Sequence, residues 1–223
     1  MKYIAKRVYN NNVVLSENKR GEEVIFVGKG LAYGLSKGDT IDLEKAEKTF
    51  ELSRESNQKF IDLIKDVSPE DILLCERVIT YIKEQSNKEI DDSIYVTLTD
   101  HIINMIDRIR MGIDFDSAIL LNIKSLYKQE YYIALQVVKI LRKELNMKID
   151  DSEASFITLH IVNAEMSSNM MQMYEITTIM EGILGIVRNE FNITENNSDS
   201  YDRFITHCRF FAQRIVNADV RFV

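Results

Sequence analysis

Proline is almost absent: Pro69 is the only one among 223 residues, which points toward a largely helical chain. Cysteine is scarce too. Cys75 and Cys208 stand 133 residues apart, with no second cysteine or histidine at ligand spacing, so both read as buried thiols and not as a zinc framework. The three histidines, His101, His160 and His207, form no HxxxH or HxxE pair that would bring two donors onto one helical turn, and no metal site is expected. No stretch approaches the roughly 20 apolar residues of a membrane span. The cations Lys2, Lys6 and Arg7 have no apolar run behind them, so the chain reads as cytoplasmic, without membrane insertion. Paired carboxylates, a nucleophile triad and a metal cluster are all missing, which leaves a hydrolase or nuclease without support.

What is present is ordinary in amount and uneven in distribution. Hydrophobic residues make up 45% and charged residues 28%, a globular balance, and the length favours two or three compact units. The net charge is −7, yet residues 1–60 hold 11 Lys+Arg against 9 Asp+Glu, so a head of +2 precedes a body of −9. Any nucleic-acid contact belongs in that head.

Short β-branched runs over Lys2–Val8, Asn12–Leu15, Glu22–Val27 and Glu47–Leu52 predict four strands. Turn signals at Asn10-Asn11, Asn18-Lys19-Arg20-Gly21 and Ser36-Lys37-Gly38-Asp39 join them as hairpins. A sheet of about 50 residues buries little apolar surface alone, which favours a homodimer. Arg7–Val14 and Phe26–Gly34 gather cations, amides, an aromatic ring and glycines. Asparagines can read base edges, Tyr33 offers a stacking face, and glycines let backbone approach a nucleotide, which is a chemistry for RNA. Against this, Asn10-Asn11-Asn12 also reads as a plain tight turn and Tyr33 as a core residue. Gly28-Lys29-Gly30 is no phosphate loop, because no helix of the required kind follows it.

Beyond Ser53 the period becomes helical, with a linker helix over 57–67 and further helices near 70–86, 93–111, 116–127, 129–146, 151–167, 173–191 and 200–218. Ser68-Pro69-Glu70-Asp71 is a helix start, with a capping serine, proline at the first position and two acids at the positive dipole end. Met166, Met170, Met171 and Met173 read as packing between helical units. The helical region repeats itself: His101 and Arg108 are seven residues apart, as are His207 and Arg214, and the two histidines are separated by 106 residues. A helical domain of that length is read as duplicated, its first copy near 70–170 and its second starting near 172 and cut off at Val223, about halfway. Seven helical residues span about 10 Å, so each arginine shares a face with its histidine. A neutral imidazole can accept a phosphoryl group and a nearby guanidinium can hold its charge. The bland alternative is a core or interface histidine bonded to backbone carbonyls. His160 lacks the arginine and lies close to Asn163 and Glu165, so a structural role competes there most strongly.

Taken in order, Asn10-x-Asn12-Val13, Gly28-Lys29-Gly30-Leu31-Ala32-Tyr33, Lys37-Gly38-Asp39, Glu47-Lys48-Thr49-Phe50, Thr99-Asp100-His101 and Leu159-His160-Ile161-Val162-Asn163-Ala164 resemble the BglG/SacY family of transcriptional antiterminators over essentially the whole chain. The resemblance implies a multidomain α+β protein: a small antiparallel β-sheet RNA-binding domain that dimerises, then all-α helical-bundle domains regulated by the sugar phosphotransferase system. The domains are expected at 1–55, 56–68 (linker helix), 69–171 and 172–223, the last being a partial second regulation domain. The family binds a looped hairpin in a leader mRNA and prevents an overlapping terminator from forming upstream of sugar-utilisation genes. That is binding rather than catalysis, and no cofactor is implied.

Carried over motif by motif, the RNA-contact positions are Lys6, Asn10, Asn12, Gly28, Lys29 and Tyr33. Tyr33 stands where phenylalanine is common and Lys29 where arginine is common, which keeps a stacking face and a charge but loses the bidentate fork. The implied phosphorylation sites are His101 and His160 in the first regulation domain and His207 in the second, with Arg108 and Arg214 as phosphate contacts and the family's fourth histidine absent. The implied partners are a sugar-specific EII permease component, inhibitory at the first domain, and the phosphocarrier HPr, activating at the second. A DNA-binding regulator would need a helix-turn-helix head, which the strand pattern disfavours. A phosphohistidine relay or protein-interaction module without RNA binding is the remaining alternative.

Overall fold

The computed structural model describes residues 2–51, 54–113, 123–166, 169–191 and 199–217. Strands β1 (Arg7–Val8), β2 (Val13–Glu17), β3 (Glu23–Val27) and β4 (Lys48–Phe50) form an antiparallel sheet in the order β1-β2-β3-β4. The first strand is shorter than the expected Lys2–Val8. Its early part joins a different neighbour, because Ala5 N–H donates to Asp39, Ile41 N–H donates to Tyr3, and Ile4 bridges Thr40.

Strict alternation in β2 and β3 gives the sheet two apolar faces. Val14, Val24 and Phe26 turn toward Leu31, Ala32 and Ile41 of the long β3–β4 connection. Val13, Leu15, Ile25, Val27 and Phe50 turn toward Phe60, Ile61 and Ile64 of helix α1 (Arg54–Ile64) and Ile72 of α2. The expected linker helix is therefore a second layer of the head, and one chain covers both faces of its own sheet. Phe50 and Phe60 meet with ring centres 4.8 Å apart, and Tyr95 closes on Phe50 at 5.7 Å, which fastens the head to the helical body.

The body consists of α2 (Pro69–Gln85), α3 (Ile94–Arg110), α4 (Ile123–Leu126), α5 (Lys128–Leu145), α6 (Glu153–Met166), α7 (Met170–Phe191) and α8 (Asp199–Asn217). The helix start at Ser68 is as expected: its hydroxyl accepts the Asp71 N–H, with Pro69 in the first turn. The helix expected over 116–127 is seen as Ile123–Leu126, and positions 116–122 lie outside the described residues. Two apolar cores share one wall. Ile157 and Ile161 of α6 enter a core with α2, α3 and α5. Leu159 and Val162 of the same helix enter another, built with Met173, Ile176 and Met180 of α7 and Ile205 and Ala212 of α8. Met166 and Met173 thus pack between helical units, whereas Met171 is exposed. Both cysteines are buried and free, and burial pushes the Cys75 thiol up to about 12.

Phe60→Ala would open a cavity at the joint of sheet and helix and is expected to cost about 3–5 kcal/mol, read as a lower urea midpoint with unchanged slope.

Candidate functional site

At one end of the sheet, the turn after β1 is laced to the loop after β3. Asn10 Oδ1 accepts the N–H groups of Asn12 (2.8 Å) and Val13 (2.9 Å), and Asn12 Oδ1 accepts Gly30 N–H at 2.9 Å. Gly28 N–H donates to Asn12 and Ala32 N–H to Asn11. Asn10, Asn12, Lys29 and Tyr33 therefore share one surface with Gly28 beneath it, and Tyr33 is 79% exposed on it rather than in a core. Gly28 is buried, and a Cβ there would lie 2.0 Å from the Lys45 carbonyl oxygen, so glycine is required for packing alone. Lys6 is not part of this surface: it pairs with Glu17 and Glu23, at the opposite end of the β2–β3 hairpin.

The same end of the head is tied to the close of α1 and to the helical body. Asn10 Nδ2 donates to the Lys65 carbonyl just after α1, Lys29 Nζ lies 3.2 Å from Glu70 in the first turn of α2, and Lys48 pairs with Glu76. The mild positive charge of the head is thus partly neutralised by its own body.

In the body, α3 and α6 bring His101 and His160 together, with ring centres 5.1 Å apart and Phe156 beside His101 at 5.7 Å. Arg108 does lie near His101, but through an intermediary. Glu153 in the first turn of α6 reaches Arg108 with Oε1 and stands 3.2 Å from His101 Nε2 with Oε2. Glu153 escaped the sequence reading, although it precedes His160 by the same seven residues that separate His101 from Arg108. Burial, with His101 adding to it, pushes the His160 imidazole down to about 3, so it is held neutral with its lone pair available. Glu165, read as a neighbour of His160, instead pairs with Lys88 at 2.6 Å.

His207 and Arg214 lie apart from this cluster, both exposed on α8. His207 is therefore not a core histidine, because Tyr201, Ile205, Cys208 and Ala212 form the buried stripe of that helix. The helix is held to the first domain by Arg209, whose guanidinium sits 4.6 Å over the Tyr127 ring, donates to the Leu126 carbonyl, and lies 3.4 Å from buried Glu130. Burial alone would raise Glu130, but Arg209 and Lys88 hold its carboxyl below the usual range, while burial and the Glu130 charge push Glu165 up. Among the described residues no three His, Cys, Asp or Glu side chains converge as a metal site, and no helix is long and apolar enough to cross a membrane.

This arrangement matches known proteins along nearly its whole length. The CAT RNA binding domain matches residues 3–59 and the PRD domain residues 76–164. The transcription antiterminator LicT of Bacillus subtilis is 41% identical over 214 residues, covering 95% of this chain and 77% of that protein. The chain belongs to the BglG family of transcription antiterminators. The beta-glucoside operon antiterminator of Dickeya chrysanthemi is 35% identical, covering 94% of this chain and 75% of its own length. The crystal structure of GlcT CAT-PRDI superposes with a TM-score of 0.61 at 29% identity, over 74% of this chain and 99% of that one. The antiterminator thus joins an RNA-binding β head to a helical domain through which the sugar phosphotransferase system regulates it.

The neutral His160 makes the antiterminator acid-sensitive. An unfolded histidine protonates near 6.5 while the folded one resists to about 3, so the unfolded state binds more protons in that window and stability rises with pH across it. Lowering pH from 6.5 is expected to cost up to about 1.4 kcal/mol per pH unit from this one residue. His160→Gln should flatten that slope in urea melts between pH 7 and 4; equal slopes would show that His160 is not the source.

Proposed function

We propose that the RNA-contact surface is the laced pair of turns, with Asn10, Asn12, Lys29 and Tyr33 as its working residues and Gly28 packed beneath them, and that it grips a looped hairpin in a leader mRNA. The observation that carries this is an aromatic ring held 79% in solvent on a loop fixed by Asn12. A base stacked on Tyr33 would remove that exposed apolar face from water. Lys29 supplies a phosphate contact. The Asn12 carbonyl oxygen is already committed to Gly30, so this side chain offers a base its NH2 group, a donor for ring-nitrogen or carbonyl acceptors. Lys6 completes the set only if RNA draws it away from Glu17 and Glu23. The head works as a binder, not a catalyst.

Gel-shift titrations of the whole chain with a looped hairpin, a fully paired hairpin and duplex DNA, across a salt series, test this. Tyr33→Ala is expected to cost about 1–3 kcal/mol for the looped RNA, and Lys29→Ala to lower the salt slope by about 1. Equal affinity for all three nucleic acids would reduce the surface to a generic basic patch.

The regulatory half of the reading places phosphorylation at His101 and His160, by a sugar-specific EII component, and at His207, by HPr, with Arg108 and Arg214 as the cations that hold the added charge. Supporting it are the pairing of two of these histidines, one of them linked to Arg108 through Glu153, and the exposure of the third. Residues 69–171 serve as the first regulation domain and residues 172–223 belong to a second, and two chains form a cytoplasmic homodimer whose head arrangement the phosphoryl groups bias. Intact-mass and peptide analysis after incubation with phosphorylated HPr or EII should find stable phosphate on these three histidines. Rapid passage to a second acceptor would instead favour a relay.

A further inference from the structure

We propose that Glu153 is a positioning residue that acts as an internal counter-ion, occupying in the unphosphorylated chain the place beside Arg108 that a phosphoryl group on the histidine pair takes over. This rests on the reading that His101 or His160 accepts phosphate. Glu153 extends from the first turn of α6 across to α3, where one oxygen meets Arg108 and the other lies 3.2 Å from His101 Nε2. Its side chain is 8% exposed, and Oε2 and His101 Nε2 are both buried without a hydrogen-bond partner among the described residues. A single carboxylate thus ties two helices together and leaves two polar atoms unsatisfied, an arrangement suited to being exchanged rather than kept.

The phosphoryl transfer is balanced without it. A lone pair on the neutral acceptor imidazole forms the new N–P bond, the N–P bond of the donor phosphohistidine breaks, and the acceptor ring's proton goes to the departing donor ring. What changes is the local charge. The product brings nearly two negative charges into a space where Glu153 already supplies one, and Arg108 is the cation found beside it. With the phosphoryl group on His101, which shares α3 with Arg108, transfer of the guanidinium from Glu153 to that group turns a tie between helices into a tie within α3. The first turn of α6 is then released. Because α6 also carries Leu159 and Val162 into the core with α7 and α8, that release reaches the second helical layer.

The test loads the full chain with phosphate from phosphoramidate, an N–P donor, and follows its loss by intact mass. Glu153→Gln removes the competing charge and is expected to lengthen the phosphohistidine lifetime on the order of fivefold, a gain that should largely vanish in an Arg108→Ala background. Glu153→Asp, which keeps the charge, should behave like the parent. A shorter lifetime in Glu153→Gln, or an undiminished gain without Arg108, would overturn the proposal. Amide hydrogen exchange on the unmutated chain tests it without a variant: phosphorylation should speed exchange in the first turn of α6, and unchanged exchange there would overturn it equally. Failure of the chain to take phosphate on either histidine would instead overturn the functional reading beneath it.

Discussion

Burial of α6 on every side is the constraint on which the helical body depends. Apart from the half-buried Phe156, residues Ala154 to Ala164 have almost no contact with solvent, and the helix divides its apolar side chains between two cores instead of presenting one face. A helix that is apolar all round must be enclosed, and here α3 and α5 enclose it on one side and α4 and α7 on the other, with α8 completing the second core. The polar residues it does carry have to be accommodated inside. Thr158 returns its hydroxyl to the Ala154 carbonyl, and Glu153 finds Arg108. Among the described residues His160 meets no charged partner, and burial keeps it neutral. The histidine pair is thus set in the wall between two packed regions, where added charge cannot be absorbed by solvent.

Polar ties run from the sheet to the helices around it, and the one through Lys29 starts on the candidate RNA surface. Asn10 is tied to Lys65, Lys29 to Glu70, and Lys48 to Glu76. The Lys29–Glu70 pair is well exposed and individually weak. The apolar joint around Phe50, Phe60 and Tyr95 carries more of the cohesion. The polar ties give the RNA surface and the helical domain a common boundary.

Much of this was legible in the sequence, because period and punctuation act locally. Ser68-Pro69 marks a helix start by its own chemistry, and the α3, α5 and α6 bounds follow from apolar spacing to within about two residues. Partners were harder to read. The 57–67 helix was legible as a helix, but nothing in its own residues said that Phe60, Ile61 and Ile64 would cover the sheet. The face of His207 could have been read from Tyr201, Ile205, Cys208 and Ala212, whose spacing turns it outward. Glu153 was missed because a lone carboxylate at a helix start usually serves the dipole, and only the fold shows it crossing to another helix. Asn12 could be read as turn or as contact, and the geometry shows its side-chain oxygen holding Gly30 in the neighbouring loop.

The depth of His160 has a kinetic side. Any reagent that modifies this ring, whether a protein carrying phosphate or a small electrophile, must wait until the wall around α6 breathes, since only 8% of the residue is exposed in the closed form. Its observed rate is then the intrinsic rate multiplied by the fraction of time the site stands open. Distant substitutions in the α7–α8 layer that loosen α6 would quicken that chemistry without touching the ring, and tight packing there acts as a timer on how fast the interior can be written to.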